Sequence, residues 1–285
     1  MTGVTPRIVL SRPQRRRAGS VAVVAGLIVG LCFILLPVFW LVETAFQKPL
    51  DAFVIPPHFI YAPTAGNFRN LIHSQFSGAL LHSVILMTLS TGVALVLGVP
   101  AGYAMARSRF RGSRAMSAWL IVAYITPALV YIVPLYAIYQ KLGLTGSYPS
   151  LVLYYETFQL PFTIFMMRGY FNDIPREFDE SAWIDGCSRW LAFRKVILPL
   201  ALPGVATVAI LDAIGSWGEY FGALIFSAPN TETAPVAIYQ YVGLQVSDWS
   251  TMAAAALFVV VPIMVLTAVA QRGLIRGLTA GGLVK

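Results

Sequence analysis

Six long apolar stretches, at 21–42, 79–106, 116–139, 149–170, 200–226 and 251–270, dominate this 285-residue chain. Each can cross about 30 Å of hydrocarbon as a helix rising about 1.5 Å per residue. No water is available there, so backbone N–H and C=O groups must be satisfied within helices or a closed barrel. The alternating short strands of a membrane barrel do not occur. Composition agrees: 58% of residues are hydrophobic and 11% charged, where a soluble domain carries about a quarter charged. The expected fold is all-α and integral to the membrane, with six transmembrane helices.

The charges orient these helices. All but three of the 20 Lys and Arg residues fall on one side: the tail with Arg7, Arg12, Arg15, Arg16 and Arg17, the 107–114 loop, Arg168 with the 172–199 loop, and the C-terminal end with Arg272, Arg276 and Lys285. Lys48, Arg69 and Lys141 fall on the other. Positive charge marks the cytoplasmic side, so both termini are expected there, in a bacterial or archaeal cytoplasmic membrane. The same asymmetry accounts for the net charge of +8 without nucleic acid. The arginines before the first span look like the basic region of a signal peptide. The apolar run after them is long and lacks a small-residue cleavage site, so it reads as a retained helix. The expected division is a cytoplasmic tail at 1–20, a first transmembrane helix at 21–42 and an extracytoplasmic loop at 43–78. A core with five further helices follows at 79–271, and a cytoplasmic tail at 272–285.

Pattern concentrates in the cytoplasmic loop at 172–199. Asp173 stands where a helix cap is expected and Pro175 in the first turn. Glu177, Asp179 and Glu180 follow in the turns where the helix dipole favours acids. Gly186 can take the left-handed conformation that ends the helix. A second short helix is expected at 188–197, making a rigid knob with Ala182 and Gly186 small enough for another protein to approach.

These residues resemble a known family. Glu180-Ser181-Ala182, then Asp185-Gly186, with Phe193, Val196, Leu198-Pro199 and Pro203, is similar to the E-A-A-x-x-x-G loop of ATP-binding-cassette importer permeases of the carbohydrate, maltose-permease G-like group. Thr126-Pro127 with Pro134-Leu135-Tyr136, Leu160-Pro161-Phe162, Trp217-x-Glu219-Tyr220 and Gly277-Leu278-Thr279-Ala280-Gly281 extend the likeness. Ser181 and Cys187 replace the usual alanines, and Gly218 stands where asparagine is common, so no role of that asparagine carries over. The resemblance implies a type I importer fold in which the loop is a coupling helix seated on an ATPase subunit. Glu180, Ser181, Ala182, Asp185 and Gly186 would form the contact. Glu180 would meet a basic or amide group, Ala182 and Gly186 would permit close packing, and Asp185 would cap or pair locally. It also implies a second, different permease, two ATP-binding subunits carrying MgATP, an extracytoplasmic solute-binding protein and a carbohydrate substrate. This chain itself would carry no cofactor and catalyse no reaction. The stretch at 277–282 would touch the ATPase pair.

Within the fifth span, Asp212, Ser216 and Glu219 fall on one helical face. Charged groups at membrane depth face protein or water. Two readings stand: a translocation path whose carboxylates accept bonds from sugar hydroxyls, or hydrogen bonding across a subunit interface. Tyr131, Tyr136, Tyr154 and Tyr155 fit either sugar stacking or an interfacial aromatic belt. Glu43 and Glu156 read as reaching interfacial water. Alternative functions are a proton-coupled secondary transporter using Asp212 and Glu219, or a permease for a glycerol-phosphate derivative. His58, His73 and His82 lack metal-ligand spacing, and no phosphate-binding loop is present.

Overall fold

The computed structural model describes residues 12–53, 61–108, 111–241 and 248–281. The tail residues 1–11 and 282–285, including Arg7 and Lys285, lie outside the described residues. In chain order the helices are α1 (Arg12–Ala45), α2 (Gly66–Ile72), α3 (Phe76–Arg107), α4 (Ser113–Ile125), α5 (Ala128–Leu142), α6 (Tyr148–Asp173), α7 (Glu177–Ile184), α8 (Arg189–Ala192), α9 (Leu198–Trp217), α10 (Phe221–Phe226), α11 (Ala234–Ala237) and α12 (Trp249–Gly281). A π turn, Phe193–Ile197, joins α8 to α9 without a break.

Among the described residues, four helices are long and apolar enough to cross a membrane: α1, α3, the run Arg189–Trp217 and α12. The bent pair α4 and α5 makes a fifth. The expected fourth span, α6, is long enough at 26 residues but is more polar, with Glu156, Gln159, Thr163 and Arg168 along it.

Three expectations are corrected. The third span is two helices meeting at 94°, because Pro127 forces Thr126 out of helical geometry to ψ 125°. The fifth span starts at Arg189 rather than 200, since the π turn carries the helix through Pro199. It also stops at Trp217 rather than running to 226, and α10 begins separately. Finally, Asp173 ends α6 instead of capping the loop helix, which starts at Glu177 with Arg176 at its N-cap.

α6 is the centre of the bundle, and glycines set its contacts. A Cβ on Gly98 of α3 would stand 2.5 Å from the Thr163 methyl, and one on Gly102 would stand 2.8 Å from Met167 Cβ. On α9, a Cβ at Gly204 would lie 2.7 Å from the Tyr170 ring, and at Gly222 of α10 one would overlap Tyr154. Backbones therefore approach α6 closely on both sides, as small residues allow in membrane bundles. Its Phe171 packs with Val99, Ala106, Phe193, Ile197 and Val208 at one end, and its Leu151 and Tyr155 with Leu86, Ala223 and Phe226 at the other. By contrast, the apolar side chains of α1 from Val23 onward are largely exposed, and it touches the rest through α12 and the cluster around Ala45.

Gly102→Ala should lower stability by about 1–3 kcal/mol, the usual cost of overpacking. Gly92→Ala, on the same helix with nothing within 4 Å of the added atom, should be neutral or stabilising. Thermal unfolding in detergent checks the pair, and equal midpoints would refute the close approach.

Candidate functional site

Two regions gather the functional candidates. The first is the knob at the end of α6. α7 is eight residues long and ends in a Schellman arrangement, with Gly186 N–H donating to Trp183 O at 3.0 Å and Cys187 N–H to Ala182 O at 2.9 Å. Gly186 takes φ 86° to make this turn, as its position in the sequence predicted. Ser188 then caps α8 by accepting from Leu191 N–H. Glu180, Ser181, Asp185 and Gly186 are exposed on the knob. Ala182 is not: it faces inward beside Asp179 and is buried, so its smallness serves packing inside this chain rather than the approach of another protein. Phe178, Trp183 and Ile184 are exposed, Ile184 to 86%, and the Arg189 guanidinium lies over the Trp183 ring at 5.7 Å.

The second region is a polar core between α6 and α9. Asp212 is 3% exposed, and its Oδ2 accepts from the Thr163 hydroxyl at 2.5 Å. Its backbone oxygen accepts from Gln159 Nε2 at 2.7 Å and from Ser216 Oγ at 3.0 Å. Burial this deep is tolerated because each bond supplies what water would. Gln159 Oε1 and both carboxylate oxygens of Glu156 are buried with no hydrogen-bond partner among the described residues. Asp212 and Gln159 line a cavity of about 290 Å³ with Tyr124, Phe158, Phe162 and Leu211. Glu156 lines another of about 230 Å³ with Trp119, Tyr131 and Thr157.

Glu219 does not share this face. It lies in the break between α9 and α10, where its carboxylate accepts from Gly222 N–H and Ala223 N–H, both at 2.9 Å. An acid at a helix start meets the free N–H groups and positive end of the dipole. The one-face stripe of three residues assumed a continuous helix, and Gly218 is where that helix ends. Tyr154 and Tyr155 are fully buried in the core, so neither presents a stacking face. Glu156 and Gln159 are residues that sequence reasoning missed as a pair with Asp212. Glu156 was placed at the water interface, and only its i, i+3, i+7 spacing with Gln159 and Thr163 hints otherwise.

With this geometry in place, the similarity to known proteins is decisive. Residues 98–279 match the family described as binding-protein-dependent transport system inner membrane component. The chain belongs to that family. It is therefore a multi-pass inner-membrane permease subunit, a transporter component rather than a hydrolase. Among its relatives, the trehalose transport system permease protein SugB of Mycobacterium tuberculosis is 36% identical, over 93% of this chain and 97% of that protein. The sulfoquinovosyl glycerol transport system permease protein SmoH of Agrobacterium fabrum is 35% identical, over 95% and 94%. In fold, the chain is similar to a chain of a bacterial ABC transporter involved in import of the acidic polysaccharide alginate, with TM-score 0.77 and 21% identity, over 94% and 99% of the two chains.

Glu219→Ala removes an acceptor for two N–H groups at the start of α10 and should cost about 1–2 kcal/mol, as the loss of a helix cap does. Glu219→Gln, which keeps one amide oxygen, should cost less. Unfolding midpoints in detergent give the order, and identical midpoints would show that the bonds do not hold the break.

Proposed function

We propose that this permease is one half of the membrane pathway of an ATP-driven, binding-protein-dependent carbohydrate importer. It pairs with a second, different permease, above two ATP-binding subunits that hold MgATP. An extracytoplasmic binding protein delivers the sugar. Two relatives are named for trehalose and for a sulfoquinovosyl glycerol, both glycosidic, which supports a glycoside over a glycerol-phosphate derivative. The positive-inside asymmetry supports cytoplasmic termini and a cytoplasmic knob.

The observation that carries this reading is the outward face of α7. Phe178, Trp183 and Ile184 stand exposed beside Glu180, Ser181 and Asp185, on a short helix fixed at its end by Gly186. An apolar cluster ringed by acids on the aqueous side is the signature of a protein-docking surface. Glu180, Ser181, Asp185 and Gly186 make that contact, with Ala182 beneath it. In the core, Asp212 and Ser216 with Gln159 form the wall of the sugar path, while Glu219 holds the helix break beside it. The Gln159 carbonyl oxygen and the Glu156 carboxylate, both without donors among the described residues, suit a ligand rich in hydroxyls.

Purification of the tagged chain from its native membrane tests the assembly. Recovery of a second permease and an ATPase, with hydrolysis stimulated by a glycoside-loaded binding protein, is the expected result. Recovery of the chain alone, without ATP hydrolysis, would refute it. Glu180→Lys should leave the protein inserted but reduce recovered ATPase or uptake by about tenfold, the equivalent of roughly 1.4 kcal/mol at the contact. Normal uptake and assembly would remove Glu180 from the interface. Asp212→Asn should impair uptake of the same glycoside without loss of assembly, and unchanged uptake would leave the residue a packing role only.

A further inference from the structure

Asp179 faces away from Glu180 and into the bundle, 1% exposed. Its Oδ1 accepts from the Tyr103 hydroxyl at 2.5 Å and its Oδ2 from Arg107 Nε at 2.8 Å. The same guanidinium donates through Nη2 to Ile174 O at 2.9 Å, and Arg176 Nη2 donates back to Ala106 O at 3.2 Å. Tyr103 is itself held between Phe171 and Phe193, at centroid distances of 5.4 and 4.7 Å. Arg107–Asp179 is the one ion pair among the described residues. Four bonds thus run from α7 and its linker to the last two turns of α3, a helix distant from them in sequence.

The other end of α3 is tied just as specifically. Ser83 Oγ accepts from Ala234 N–H at 2.8 Å, and His82 Nδ1 donates to Glu232 O at 3.0 Å. Between these ends α3 is a helix of 32 residues, about 48 Å long at 1.5 Å per residue. Its C-terminal third packs closely on α6 at Gly98 and Gly102.

We infer that Asp179, clasped by Arg107 and Tyr103, is a positioning residue that joins α7 rigidly to α3 and makes α3 the lever by which displacement of the knob reaches the segment Glu232–Ala237 at the far end. Without the joint, α7 keeps its packing on α8 and the π turn but loses its tie to α3, and the linkers at 174–176 and 185–188 can turn and absorb the displacement. A buried charge pair suits such a joint: it has a preferred geometry, and removing one partner strands the other. The inference rests on the reading that α7 receives movement from an ATPase subunit.

The test uses the assembled complex in lipid nanodiscs, where both faces are open to solution, with Cys32→Ser and Cys187→Ser removing both native thiols and Asn230→Cys as an exposed reporter near the far end of α3. Labelling by a membrane-impermeant maleimide is compared with and without MgATP trapped by vanadate. In this parent the labelling rate should change by at least about fivefold, the lower end of ordinary coupling free energies. The double variant Asp179→Leu/Arg107→Met buries no lone charge, so it should assemble and hydrolyse ATP within about twofold of the parent while the nucleotide-dependent change in labelling disappears. Asp179→Glu should restore part of the change, and Tyr103→Phe, which removes only a hydroxyl, should reduce it. A full response in the double variant, or in Tyr103→Phe should the double variant fail to assemble, overturns the joint while leaving the docking reading intact. No nucleotide response in the parent overturns both.

Discussion

The close approach of three helices to α6 is the constraint on which the rest of this structure depends. In hydrocarbon, apolar surface gains little by leaving lipid for protein, so association rests on packing and on polar bonds. Packing requires backbones to come near, and here glycine meets Thr163, Met167, Tyr170 and Tyr154 of α6 in turn. The short separations bring Asp212 within reach of Thr163 and Gln159. They also bring the C-terminal ends of α3 and α6 close enough for Arg107 to bond both Ile174 O and Asp179. The polar core and the clasped knob are two consequences of one packing solution.

How much of this could be read from the chain varies with the range of the cause. Local causes were legible: the apolar runs gave helices, and Gly186 gave the left-handed end of α7. The helix-and-turn shape of the loop after α6 was legible because its residues are contiguous. What escaped depends on long-range contact. The inward turn of Ala182 follows from α7 lying against α8 and the π turn, which spacing within one helix does not disclose. Proline was misread in both directions. Pro127 breaks a span because its ring forces Thr126 out of helical geometry, whereas Pro199 follows a π turn and the helix runs on through it. The stripe of Asp212, Ser216 and Glu219 presumed an unbroken helix, and a single residue, Gly218, ends it.

The two carboxylates of that stripe show how neighbours divide roles between identical chemistries. Glu219 spends its acceptor capacity on two backbone N–H groups that a broken helix leaves free. Asp212 takes one hydroxyl donor on Oδ2 while its backbone oxygen takes the amide and the serine. The first arrangement holds a backbone in place and is complete in itself. The second leaves capacity facing a cavity, alongside a glutamine oxygen without a donor. The difference arises from position: Glu219 sits at a helix start, Asp212 in mid-helix, where the backbone donors are already used.

A bundle locked in this way limits where shape can change. Helical hydrogen bonds resist bending along α3, α6 and α9, and the glycine contacts prevent these helices from sliding past one another without steric cost. Single bonds are lost at the prolines inside α3, α6 and α9, but the helical ladder is interrupted altogether at the 94° corner between α4 and α5 and at the Gly218 break before α10. Both lie beside the cavities that carry Glu156 and Asp212. Rearrangement there costs fewer bonds than anywhere within the locked helices, so the walls of the polar core can alter while α3 and the knob keep their relative geometry. A stiff lever next to a deformable wall is the arrangement a transporter needs if force applied at one end is to change access at the other.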